Sequence, residues 1–86
     1  MINKKVVVRC ESGLHNQQAT YFVQKANEFE SRVWLESGSR KMNAKSLLGV
    51  MLLSVATGDS VVLSADGTDA EAAVTALESL LQRDVY

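Results

Sequence analysis

His15 is the only histidine of the 86-residue chain, and it stands in the stretch GLHNQQA, Gly13 to Ala19. A neutral imidazole nitrogen is a nucleophile near neutral pH, and once phosphorylated it is a good phosphoryl donor. The residues that follow take on helical spacing. A phosphate carried by His15 would therefore meet the unpaired amides of Asn16, Gln17 and Gln18 and the positive end of a helix dipole. A second feature is Ser46, which precedes the apolar run Leu47, Leu48, Val50, Met51 and Leu52. Serine is a good helix N-cap, because its oxygen accepts from an otherwise unpaired amide of the first turn. A short helix buries one stripe, yet this one is apolar on nearly every side. Some of Leu47, Leu48, Met51 and Leu52 are therefore expected at the surface, where they form an interaction patch. No metal-ligand cluster, glycine-rich nucleotide loop or catalytic triad competes with these residues, and no cofactor is implied.

The elements that must position them follow from periodicity. Ile2 to Arg9 is rich in valine and reads as a strand, ended by Glu11, Ser12 and Gly13. Ala19, Phe22, Val23 and Ala26 recur at helical spacing, so a helix is expected from about Asn16 to Asn27, with Phe22 and Phe29 in the core. Arg32, Trp34 and Glu36 alternate with Val33 and Leu35 in a half-buried strand. Ser37, Gly38 and Ser39 turn the chain, and Arg40 to Asn43 returns. Trp34 shares the wetter face with two charges. Its favoured reading is a ring lying on neighbouring strands, with a surface for a partner or dimer as the alternative. The helix after Ser46 is expected to break or bend near Gly49. Val61 to Ala65 alternates as a last strand. Thr68 and Glu71 have capping-box spacing, and Ala70, Ala73, Val74, Leu77 and Leu80 form the stripe of a helix ending around Gln82. The order β-α-β-β-α-β-α predicts a two-layer sandwich of sheet and helices.

Composition narrows the class. A hydrophobic content of 47% and a charged content of 22% are ordinary for one folded domain, taken as 1–86. A net charge of -1 provides no overall basic field for nucleic acid. No apolar run is long enough to insert in a membrane, and that of MINKKVVV is too short for a signal peptide. Cys10 is alone, which points to a reducing, cytoplasmic setting and to a buried small hydrophobe.

GLH at 13–15, AT at 19–20, the block NAKSLLGVM at 43–51 and the acidic-capped last helix together resemble HPr, the histidine-containing phosphocarrier family of the bacterial sugar phosphotransferase system. The likeness spans essentially the whole chain without insertion. It implies an α+β open-faced sandwich, with a four-stranded antiparallel sheet in the order 1-4-2-3 and three helices on one face. It implies a carrier and not an enzyme. His15 would take phosphate from Enzyme I and pass it to IIA components. Ser46 would be the serine modified by HPr kinase/phosphorylase and read by a catabolite-control transcription regulator. Leu47, Leu48 and Met51 would dock partners. After its histidine the family usually has a small residue, arginine and proline, where this chain has Asn16, Gln17 and Gln18. Arginine brings a charge and a fork of donors to phosphate, and glutamine brings neutral donors only. Lys45 and Arg40 are then the candidate cations near Ser46. Position 52, often serine in the family, is Leu52. Two functional classes stay open: a phosphocarrier working through His15, and a regulatory paralogue of the catabolite-repression type, or one serving a dedicated system, working mainly through phosphorylated Ser46.

Overall fold

Side-chain alternation in the two central strands builds the floor of the core. In the computed structural model, which describes residues 1–84, the chain runs β1 (Ile2–Val7), α1 (Asn16–Ala26), β2 (Arg32–Ser37), β3 (Arg40–Asn43), α2 (Leu47–Leu52), β4 (Ser60–Asp66) and α3 (Ala70–Gln82). The strands pair antiparallel in the order β1-β4-β2-β3, as the open-faced sandwich requires. Val33 and Leu35 of β2 lie opposite Ala65 and Leu63 of β4, and all four are buried. Cross-strand pairs of this kind are the unit of sheet stability. Phe22 of α1 and Leu77 and Leu81 of α3 are fully buried in the same core.

Local chemistry sets the turns. Ser37 pairs with Arg40, so the β2–β3 hairpin closes on the two residues Gly38 and Ser39. Gly38 has φ +61, the conformation a type II′ turn demands at its first position. The break expected at Gly49 is absent. α2 runs unbroken through that residue and stops at Leu53, after which Ser54 turns left-handed at φ +50. The outward face of the sheet carries Trp34, half-buried between its register partners Ser64 and Asn43. Lys41 Nζ lies 5.2 Å from the Trp34 ring centroid, a cation–π contact. The ring thus lies on its own sheet.

The capping box at Thr68 and Glu71 does not form. α3 begins one residue later, with Asp69 as N-cap, and the Asp69 side chain makes no cap bond. Its carboxylate instead reaches across to the α1–β2 connection. There it accepts from the Glu30 amide at 2.9 Å, the Ser31 amide at 2.9 Å and the Ser31 hydroxyl. Gly67, at φ +152, passes so close to Ser31 that a Cβ would collide with it. The Ser31 hydroxyl first, then the Glu30 amide, holds the Asp69 carboxyl below the usual carboxylate range. A depressed carboxylate stabilises the fold above its unfolded pKa, and that contribution fades as pH falls through the lowered value. Thermal melts should therefore show Asp69→Asn less stable than the parent at neutral pH, with the gap closing below about pH 4. A gap that stays constant down to about pH 2 would show that the carboxylate charge is not what holds the two connections together.

Candidate functional site

Two anchors hold the backbone on either side of His15. On the N-terminal side Leu14 is fully buried, and its amide donates to the Val55 carbonyl at 2.9 Å. Gly13, at φ +66, packs so tightly there that a Cβ would run into the Val55 carbonyl and the Ala56 backbone. Only glycine satisfies both the positive φ and the close approach. Cys10 closes the turn: its carbonyl accepts the Gly13 amide at 3.1 Å, and its Sγ lies 3.5 Å from the Gly13 carbonyl. Cys10 is fully buried, and burial pushes its thiol pKa up, as for an inert packing residue.

On the C-terminal side His15 is the N-cap of α1, extended at φ -129 and ψ 155. Its carbonyl accepts the amides of Gln18 at 3.1 Å and Ala19 at 3.4 Å. The imidazole makes no cap bond and is half-buried. Asn16 opens the helix at φ +50, a left-handed conformation that asparagine tolerates better than most residues. Asn16 and Gln17 are exposed, and their amides have no partner among the described residues. A half-buried nucleophile thus sits beside two vacant donors at the positive end of a helix, an arrangement suited to an anion on the ring.

Gln18 departs from expectation. Its side chain does not face the mouth of α1 but is fully buried. Its Nε2 donates to the Leu80 carbonyl at 2.6 Å and to the Arg83 carbonyl at 3.0 Å, at the far end of α3. Its amide is already committed to His15. The spacing held the signal: Gln18, Phe22 and Ala26 follow one another at i, i+4 and i+8, on the buried stripe.

Ser46 caps α2 as its position predicts, its Oγ accepting the Gly49 amide at 3.1 Å. Leu47, Leu48, Met51 and Leu52 are 40, 70, 45 and 48% exposed, while Val50 between them is fully buried. The apolar patch is therefore real and continues onto Leu52. The two cations expected beside Ser46 are engaged elsewhere. Lys45 Nζ donates to the Phe29 carbonyl at 2.6 Å. Arg40 Nη1 donates to the Leu52 carbonyl at 3.1 Å, at the opposite end of α2, where a cation suits the helix dipole.

Against known proteins, the family model described as the PTS HPr component phosphorylation site matches residues 2–83. The chain belongs to the HPr family. It is 45% identical over 85 residues to the HPr-like protein Crh of Bacillus subtilis strain 168, covering 99% of this chain and 100% of that one. Among solved structures, the phosphocarrier protein HPr of Bacillus anthracis str. Ames superposes with a TM-score of 0.93 at 37% identity, covering 94% of this chain and 96% of that one. A crystal structure of Bacillus subtilis Crh, a domain-swapped dimer, matches with a TM-score of 0.76 at 45% identity, covering 95% of this chain and 94% of that one. No helix among the described residues is long and apolar enough to cross a membrane.

In an HPr-family protein the α2 patch is a surface to be tested by charge. Leu48→Glu should weaken partner binding at least tenfold while shifting stability by under about 0.5 kcal/mol, as exposed substitutions usually do. Titration against Enzyme I, with a thermal melt alongside, checks both. A large fall in melting temperature would show that Leu48 is a core residue and not a docking one.

Proposed function

We propose that this chain is a phosphocarrier: His15 accepts a phosphoryl group from Enzyme I and passes it to IIA components, and modification of Ser46 tunes the exchange. The observation that carries this reading is the His15 imidazole, which makes no side-chain cap bond at the N-terminus of α1, beside the amides of Asn16 and Gln17, which have no partner among the described residues. In the forward step a lone pair of the His15 ring attacks phosphorus, a new N–P bond forms, and the bond to the donor protein breaks. The reverse chemistry on a IIA component regenerates free His15. Asn16 and Gln17 supply neutral backbone donors to the phosphoryl oxygens, and Gln17 adds a neutral side chain where the family usually has a charge. The exposed leucines and Met51 on α2 give partners an apolar surface to dock on.

A second reading has its own support. The relatives of this chain at 45% and 36% identity are HPr-like Crh proteins. A regulatory paralogue of that kind would act mainly through phosphorylated Ser46 bound to a transcription regulator, after modification by HPr kinase/phosphorylase, with weak transfer at His15. Phosphate on Ser46 would stand at a helix N-terminus, which the dipole favours, and it would add about -1.5 to -2 charges beside the apolar patch.

Incubation with phosphoenolpyruvate and Enzyme I separates the two. The parent should gain an acid-labile phosphate, His15→Ala should gain none, and Gln17→Arg should gain it several-fold faster, because charge-assisted bonds are roughly twice as strong as neutral ones. Ser46→Asp should keep its circular dichroism spectrum, since aspartate also caps, and should accept phosphate more slowly. No acid-labile phosphate at any Enzyme I concentration, with acid-stable phosphoserine formed in a separate incubation with HPr kinase/phosphorylase and ATP, would overturn the carrier reading in favour of the regulatory one.

A further inference from the structure

Gln18 is the one fully buried glutamine among the described residues, and the reaction outlined above does not use it directly. Its Nε2 is bound to two carbonyl oxygens, Leu80 at 2.6 Å and Arg83 at 3.0 Å, so the amide nitrogen must face them with both hydrogens. These carbonyls belong to the end of α3, where a helix leaves its last acceptors without intrahelical donors. The side chain therefore caps α3 from another helix, 62 residues away in sequence. The backbone of the same residue donates to the His15 carbonyl at 3.1 Å. One residue thus joins the end of α3 to the N-cap that carries the imidazole.

We propose, resting on the phosphocarrier reading, that Gln18 is a positioning residue, whose buried carboxamide fixes the first turn of α1 and so aims His15 and the amides of Asn16 and Gln17 at the phosphoryl group. The family usually has proline at this place, which fixes φ within the first turn by its own ring. Here the same turn is held from outside, by two hydrogen bonds to α3. The left-handed Asn16 gains from such a hold, because φ +50 is less favourable than the right-handed region even for asparagine. Leu14 and Gln18, both fully buried, are then the two pins between which the exposed residues Asn16 and Gln17 are strung.

Gln18→Met tests this, because methionine keeps the length and bulk and removes both donors. Transfer from Enzyme I should show kcat about tenfold lower with KM within about twofold, since reactive geometry is lost while the α2 docking patch is untouched. The Gln18 and Ala19 positions should also exchange their amide hydrogens faster than in the parent. A folded Met variant with parental kcat and parental exchange would overturn the proposal and leave Gln18 as core filling. If the Met variant does not fold, Gln18→Glu replaces it. Its rate relative to the parent should rise as pH falls and the new carboxyl gains a proton to donate, and a flat ratio would overturn the proposal. If the parent itself gains no acid-labile phosphate, the phosphocarrier reading fails and the claim on transfer goes with it. The exchange data then decide separately whether Gln18 holds the turn.

Discussion

The end of α3 is the constraint from which the site follows. Leu80 and Leu81 are buried, so the carbonyls there cannot turn to water and need protein donors. The Leu81 carbonyl takes the amides of Arg9 at 2.7 Å and Cys10 at 3.2 Å, just beyond β1. The Leu80 and Arg83 carbonyls take the Gln18 side chain at 2.6 and 3.0 Å. Asp84 then accepts the Glu11 amide at 2.8 Å. The exit of β1 and the entrance of α1 are thereby gathered over one helix end. The short connection between them, with His15 at its close, has little freedom left once Gly13 and Leu14 are seated against Val55 and Ala56.

The second half of the surface is built by the opposite means. α2 has only six residues, too few to be stable by itself, and it is held by caps and by one buried residue. Ser46 satisfies its first turn and Arg40 its last. Val50 alone is buried, so the other apolar side chains remain outside. A site that pairs a reactive ring on one helix mouth with an apolar platform on a neighbouring helix suits a protein whose substrates are other proteins. In the proposed reading the ring does the chemistry, and the platform supplies the non-directional part of recognition.

Much of this was readable from local pattern. Element order, helix spans, the Ser46 cap and the exposed leucines rest on periodicity and capping, which act within a few residues, whereas the strand order 1-4-2-3 followed from the likeness to HPr. What escaped the sequence acts over distance. Gln18 reads as a polar residue beside a polar neighbour, and its partner is 62 residues on. Asp69 lies within the expected Thr68–Glu71 capping box, where local pattern gives it no role, and its Ser31 partner is 38 residues back. Lys45 and Arg40 read as neighbours of Ser46, yet carbonyls 16 and 12 residues away claim them. Gly49 reads as a breaker, but α2 is so short and so firmly capped that one glycine does not interrupt it. For Gln18, Asp69, Lys45 and Arg40, tertiary partners outweighed local preference. The buried stripe through Gln18 and Phe22 was the one sequence signal that would have found the first of them.

The account turns on where a phosphate on His15 would rest. Site-resolved amide NMR of the chain before and after phosphorylation by Enzyme I measures that directly. The account predicts that the Asn16 and Gln17 amides move most, with Gln18 and Ala19, already committed to the His15 carbonyl, moving less. Unmoved Asn16 and Gln17 amides, with the largest changes at Ser46 to Gly49 instead, would contradict it.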